Sequence, residues 1–202
     1  MKMFHRRTLL AAGGTLVALP ALAQAQAPAD PRMAERSMGN ASAPMTVIEF
    51  FSLTCSHCGD FSRQTWPQVK ARLVDTGKVR MVWRDFPLDQ IALRAAAVAR
   101  TFPAAAYEAF ISALFASQDR WAFARGVDHK TEIGKIAALA GMSQATFDAA
   151  WADDDLARAI LADREQAQRQ FNIQATPTFV FGSRVVSGAI SFDRFAREAG
   201  AS

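Results

Sequence analysis

The sequence predicts a mixed α/β domain, with helices on both faces of a sheet, built as a βαβ unit, an all-helical block and a ββα unit in that order. Three observations carry this. Two short runs rich in β-branched and aromatic residues, Met45 to Phe51 and Lys78 to Phe86, flank a stretch of helical character. From Gln90 to Phe171 the pattern is almost entirely helical. Near the end, Thr178 to Phe181 meets Arg184 to Ser187 across Gly182-Ser183, the signature of a two-residue hairpin turn.

The first residues read as an export signal. Met1 to Arg7 is positively charged, Thr8 to Ala23 is apolar, and small residues follow with A-x-A spacing at Ala21/Ala23, Ala23/Ala25 and Ala25/Ala27. The apolar run of about 16 residues carries Gly13, Gly14 and Pro20 and falls short of the roughly 20 needed to span a bilayer. Residues 1–27 are therefore expected to be a cleaved signal rather than a membrane anchor. Arg6-Arg7 before Thr8-Leu9-Leu10 resembles a twin-arginine signal, although two arginines also suit an ordinary secretory one. Of the formal net charge of +4, Lys2, Arg6 and Arg7 account for three, so the mature chain is close to neutral. No basic stripe interleaved with aromatics remains to suit a nucleic acid.

Residues 28–43, rich in Ala, Pro, Ser, Gly and Asn without an apolar period, read as a linker arm, with regular structure beginning near Met45. Residues 44–89 form the βαβ part: a strand, a turn at Ser52-Leu53-Thr54, a helix from Cys55 to about Leu73 ended near Gly77, and a second strand. Residues 90–170 are the helical insertion, with helices expected at Ile91 to Thr101, Ala104 to Ala116, Lys130 to Leu139, Gln144 to Ala152 and Leu156 to Phe171. Asp128 and Ser143 suit N-caps, and Gly141 suits a helix end. Residues 171–202 hold the hairpin and a closing helix from Phe192 to Ala199. Trp66, Trp83, Trp121, Trp151, Phe102, Phe110, Phe115 and Phe123 read as packing residues rather than a ligand box. Asp153-Asp154-Asp155 reads as a solvated helix start.

Only two cysteines exist, Cys55 and Cys58, at the start of the first helix. A disulfide across so short a loop restricts the unfolded chain little, so a reactive pair is the better reason to keep it. Thiolate, not thiol, performs disulfide exchange. A helix N-terminus favours an anion through its unpaired N–H groups and positive dipole end. His57 is expected to add a second stabiliser in the same turn, as a cation or donor. Cys55 is then the residue that attacks or is attacked, and Cys58 the one that resolves the mixed disulfide. A structural zinc site needs four ligands, and only His57 and His129 stand outside the signal, so no metal is expected.

The segment Glu49-Phe50-Phe51-Ser52-Leu53-Thr54-Cys55-Ser56-His57-Cys58 resembles the active-site segment of the DsbA family of bacterial periplasmic proteins. Arg84-Asp85-Phe86-Pro87-Leu88, the helical insertion and Thr176-Pro177-Thr178 extend that resemblance over essentially the whole mature chain. It implies a thioredoxin-like fold with an all-helical domain inserted between the βαβ and ββα parts. It also implies that Pro177 is the cis-proline facing the cysteines, with the backbone of Thr176 beside Cys55 and available to an extended substrate; without the family, a trans proline opening an edge strand is the simpler reading. Glu49 matches an acid beneath the active site, where burial raises a carboxyl's pKa and permits proton exchange with Cys58; the alternative is a sheet-edge carboxylate. Ser56 between the cysteines, where strong oxidants of the family have proline, and Thr176 before Pro177, where they have valine, are expected to tune the redox poise.

The resemblance implies a periplasmic thiol:disulfide oxidoreductase that introduces disulfides into reduced or partly unfolded exported proteins. It is expected to be a monomer without membrane insertion after signal cleavage, reoxidised by a DsbB-like membrane partner. No cofactor is expected beyond the redox-active Cys55–Cys58 disulfide. Two alternatives stay open: an isomerase or reductase kept reduced by a membrane donor, and a non-catalytic thiol module for Cu(I), since thiolates suit soft metals.

Overall fold

The apolar run Met45–Phe51 forms strand β2, and Val79–Asp85 forms β3 beside it in parallel, with Glu49 opposite Trp83. The computed structural model describes residues 30–201. The export-signal reading at residues 1–27 lies outside them. On the other side of β2 runs β4 (Thr178–Phe181), antiparallel, followed through Gly182-Ser183 by β5 (Arg184–Ser187). With β1 at Arg36–Met38, the sheet order is β1-β3-β2-β4-β5 among the described residues.

Strand β1 (Arg36–Met38) corrects the expectation that regular structure begins near Met45. It pairs antiparallel with β3, Arg36 opposite Trp83, after a 3-10 turn at Pro31–Met33. Three residues with two polar side chains carry no legible alternation, so the signal lies in tertiary contacts. Arg36 is buried, and its Nη2 donates to the carbonyl of Arg100 at 2.8 Å. Arg100 Nε in turn pairs with Asp85 Oδ2 at 2.5 Å, both side chains 3% exposed, and Tyr107 Oη donates to Asp85 Oδ1 at 3.0 Å. A buried charge persists only when paired and hydrogen-bonded. Here one network joins the N-terminal segment, the end of β3 and the insertion. Gly39, at φ +104, lets the chain leave β1 hard against β3, because a Cβ there would lie 2.7 Å from the Val79 carbonyl oxygen.

After the turn at 52–54 a helix runs over 56–74. Its α-helical stretches α1 (Ser56–Asp60) and α2 (Trp66–Val69) alternate with π-turns at Phe61–Thr65 and Lys70–Val74. Pro67 has no N–H to return to the preceding turn, and the first widened turn falls immediately before it. Gly77, at φ +76, ends the segment.

The insertion consists of α3 (Gln90–Thr101), α4 (Ala104–Ala116), α5 (Gln118–Trp121), α6 (His129–Leu139), α7 (Gln144–Ala152) and α8 (Asp154–Phe171). Asp128 and Ser143 cap α6 and α7, as their residue types predict. The sequence reading lacked the single turn α5 and began α8 two residues late. Asp153 is the α8 N-cap, accepting from Leu156 N at 2.9 Å; Asp154 and Asp155 pair with Arg94 and Arg158. Helix α9 (Phe192–Glu198) closes the described chain behind its Ser191 cap.

Hydrophobic packing covers both faces of the sheet. On one, Phe61 from the 56–74 helix meets Phe179 of β4, ring centroids 4.5 Å apart, and Phe195 of α9 packs edge-on to Phe179 at 5.9 Å. Phe51 meets Phe115 of α4 at 5.9 Å, which continues this core into the insertion. On the other face, Phe50, Phe86, Ile173 and Val180 pack with Ala167 and Phe171 of α8. Phe123 departs from its expected packing role and is 47% exposed.

Candidate active site

The turn between β2 and α1 is held from three directions. Within it, Cys55 N donates to Ser52 O at 3.1 Å. From the β3–α3 connection, Leu88 N donates to Ser52 Oγ at 3.3 Å, and Thr54 Oγ1 donates at 2.6 Å to Asp89, the residue that caps α3. From α5, Gln118 Nε2 donates to the carbonyl oxygens of Leu53 at 2.8 Å and Cys55 at 2.9 Å. Gln118 is 1% exposed. Nothing in a lone glutamine marks such a role in the sequence, since the contact spans more than sixty residues.

This framing makes Cys55 the N-cap of α1, with Ser56, His57 and Cys58 at the first three helical positions. A side chain at an N-cap naturally accepts from the second and third N–H groups. As a thiol, Cys55 instead donates through Sγ to the Thr176 carbonyl at 3.2 Å. Ionised, the sulfur becomes an acceptor. The Cys58 thiol lowers its pKa most, the Thr176 side chain and the N–H groups of Cys58 and His57 lower it further, and partial burial opposes them. The result is about 5 against an ordinary 9.0. Cys58 moves the other way. It is fully buried, and burial first, then the Cys55 hydrogen bond and the negative charges of Cys55 and Glu49, push its thiol well above the ordinary value.

Glu49 lies inside β2, 4% exposed, so the sheet-edge alternative does not hold. Burial raises its carboxyl from 4.5 to about 8, with the Trp83 side chain pulling down and the Cys55 charge adding to the rise. Above it, the Thr176–Pro177 peptide bond is cis, as the resemblance implies. The structure thus gathers Cys55, Cys58, Thr176 and Pro177 at one spot, with Glu49 electrostatically coupled to both sulfurs. His57 contributes through its main-chain N–H, which helps lower the Cys55 pKa, and its side chain is exposed. Ser56 is exposed beside it.

Glu108 of α4 is a second acid near the site that sequence reasoning passed over. Its Oε1 accepts from Trp66 Nε1 and Ser112 Oγ, each at 2.7 Å, and it lines a small cavity together with Glu49 and Trp83.

Chemically, the arrangement offers one exposed-side sulfur held as an anion, a buried sulfur kept protonated, and a carboxyl able to change protonation near neutrality.

Comparison with known proteins bears on the family and the fold. A family model described as Thioredoxin matches residues 32–198. The crystal structure of Wolbachia pipientis alpha-DsbA1 superposes with a TM-score of 0.76 at 30% identity, over 83% of this chain and 90% of that one. A protein-disulfide isomerase from Novosphingobium aromaticivorans shares the fold at a TM-score of 0.70 and 24% identity, over 81% of this chain and 97% of that one. A Rickettsia conorii protein provisionally named a protein-disulfide oxidoreductase is 26% identical over 77% of this chain and 56% of its own length. The chain therefore spans little more than half of such curated relatives.

Proposed function

The chain belongs to the thioredoxin family, among its DsbA-like members, and on that premise we propose that it oxidises thiols of exported proteins through Cys55 and Cys58. The observation that carries the reading is the opposed ionisation of the two sulfurs, Cys55 lowered to about 5 and Cys58 raised.

A client thiolate attacks Cys55 Sγ of the Cys55–Cys58 disulfide, forming a mixed disulfide and releasing Cys58 as thiolate. Cys58 takes a proton, for which the Glu49 carboxyl, protonated up to about pH 8, is a buried source in electrostatic contact. A second client thiolate then attacks the client sulfur and expels Cys55. The client gains a disulfide and loses two electrons, and the protein ends reduced, with Cys55 as thiolate and Cys58 as thiol. Cys55 leaves readily because a low-pKa sulfur is the better leaving group. A stabilised thiolate also lowers the free energy of the reduced state, which makes the disulfide the more oxidising form. Substrate backbone meets the protein at Thr176, beside Cys55.

In this reading the chain works in the periplasm as a monomer and is reoxidised by a DsbB-like membrane protein. No helix among the described residues is long and apolar enough to cross a membrane. The deciding experiment is the equilibrium of the Cys55/Cys58 couple with glutathione, run beside oxidation of a reduced, unfolded test protein. A potential well above the roughly −270 mV of thioredoxin, with rapid client oxidation, supports the oxidant. A potential near that value moves the assignment to a reductase or isomerase.

A further inference from the structure

We propose that Gln118, supplied by the helical insertion, is a positioning residue that sets the reactivity of Cys55 by clamping the carbonyls on either side of Thr54. This rests on the disulfide-exchange reading and adds a residue to it.

A glutamine amide nitrogen has two hydrogens, and here both are spent on the Leu53 and Cys55 carbonyls, at 2.8 and 2.9 Å. The Cys55 carbonyl also receives the first helical hydrogen bond, from Gly59 N at 3.1 Å. Its orientation therefore decides whether the N–H groups of His57 and Cys58 point at the Cys55 sulfur. Gln118 fixes the carbonyl from the far side of the turn. Because Gln118 is 1% exposed, no water replaces it when it is removed, and Leu53 O loses a partner.

The position after the second cysteine is shaped to the same side chain. A Cβ at Gly59 would lie 2.3 Å from Gln118 Oε1 and 2.7 Å from Arg63 Nη1. Gly59 has an ordinary helical φ, so its requirement comes from this approach and not from the backbone. Arg63 backs the arrangement by donating through Nη1 to Phe115 O at 2.7 Å at the end of α4. The insertion thus reaches the sulfur through one amide seated against a glycine, which gives it a role in the chemistry beyond covering the sheet.

The test is the ultraviolet titration of the Cys55 thiolate in the reduced chain, with thermal unfolding measured alongside, for wild type, Gln118→Met, Gly59→Ala and Tyr107→Phe. Gln118→Met keeps the length and removes both donors, while Gly59→Ala displaces the amide without altering it. Both are expected to raise the Cys55 midpoint by about one pH unit, a tenfold fall in the thiolate-to-thiol ratio at fixed pH, and to shift the glutathione equilibrium at neutral pH about tenfold towards the disulfide. Tyr107→Phe, which removes a buried hydrogen bond elsewhere in the insertion, is expected to lower the unfolding temperature and leave the titration alone. If Gln118→Met behaves like Tyr107→Phe, the residue is only structural and the proposal is overturned. Should Gly59→Ala fail to fold, Gln118→Met decides alone. A wild-type midpoint at the ordinary thiol value overturns the disulfide-exchange reading itself, and this proposal with it.

Discussion

Cys55 Sγ lies 3.2 Å from the carbonyl oxygen of Thr176, 121 residues further along the chain. A carbonyl only accepts, so this bond exists for the thiol and is lost when the sulfur ionises. The anion must then be held by donors, and those are the Cys58 thiol, the Thr176 side chain and two N–H groups of the helix start. The same atom is thus poised between two sets of partners, the Thr176 carbonyl for the thiol and, for the anion, the helix start together with the Thr176 side chain.

Because the Cys58 thiol contributes most to lowering Cys55, Cys58→Ala should raise the Cys55 midpoint from about 5 by at least about one pH unit. The same variant lacks the resolving sulfur, so mixed disulfides with reduced client proteins should accumulate on non-reducing gels.

The lowered Cys55 makes stability depend on pH in the reduced protein only. The unfolded thiol keeps its proton up to about 9 and the folded one releases it near 5, so the contribution is fully present above the unfolded value and lost as pH falls through about 5. Denaturant unfolding of both redox forms from pH 4 to 8 should therefore show the reduced form gaining over the oxidised one as pH rises. On the order of 2 kcal/mol is expected by pH 7, allowing for solvent screening at this partly exposed sulfur.

Glu49 acts in the opposite sense. Its folded carboxyl, raised to about 8, retains a proton that the unfolded chain gives up near 4.5, so stability falls with rising pH across that window. Glu49→Gln removes the loss. It should raise the unfolding temperature more at pH 8 than at pH 5, and slow net client oxidation, because a Cys58 left as thiolate re-attacks Cys55 and returns the client thiol.

Arg100→Met leaves Asp85 buried beside Tyr107 without its cation. Breaking a buried pair from one side costs about 3–5 kcal/mol. Denaturant unfolding should show that loss, while the Cys55 titration stays where it is in the wild type, since the groups that shift the two sulfurs, Thr176, His57, Glu49 and the sulfurs themselves among them, are not members of the network.

What the sequence disclosed, and what it hid, divides by the range of the determining interaction. The run Met45–Phe51, the Gly182-Ser183 turn and the caps Asp128 and Ser143 are local, and periodicity and residue type locate them. Cys55 and Cys58 are legible because their spacing and place at a helix start define the chemistry, and Pro177 became legible only through family resemblance. Strand β1 and the Asp85–Arg100–Tyr107 network depend on contacts between distant residues. Gln118 was invisible for the same reason. Asp85 in particular stood in a segment quoted for resemblance, yet its buried partner lies in α3 and could not be read from spacing. His57 was legible as a position but not as an atom, because its contribution runs through the main chain.

The most direct measurement is the ultraviolet titration of the thiolate in the reduced wild-type chain, with Cys55 assigned by its rate of alkylation against pH. The account predicts one sulfur ionising at a midpoint of about 5 while Cys58 stays protonated throughout the neutral range. A single midpoint near 9 for both cysteines would contradict it.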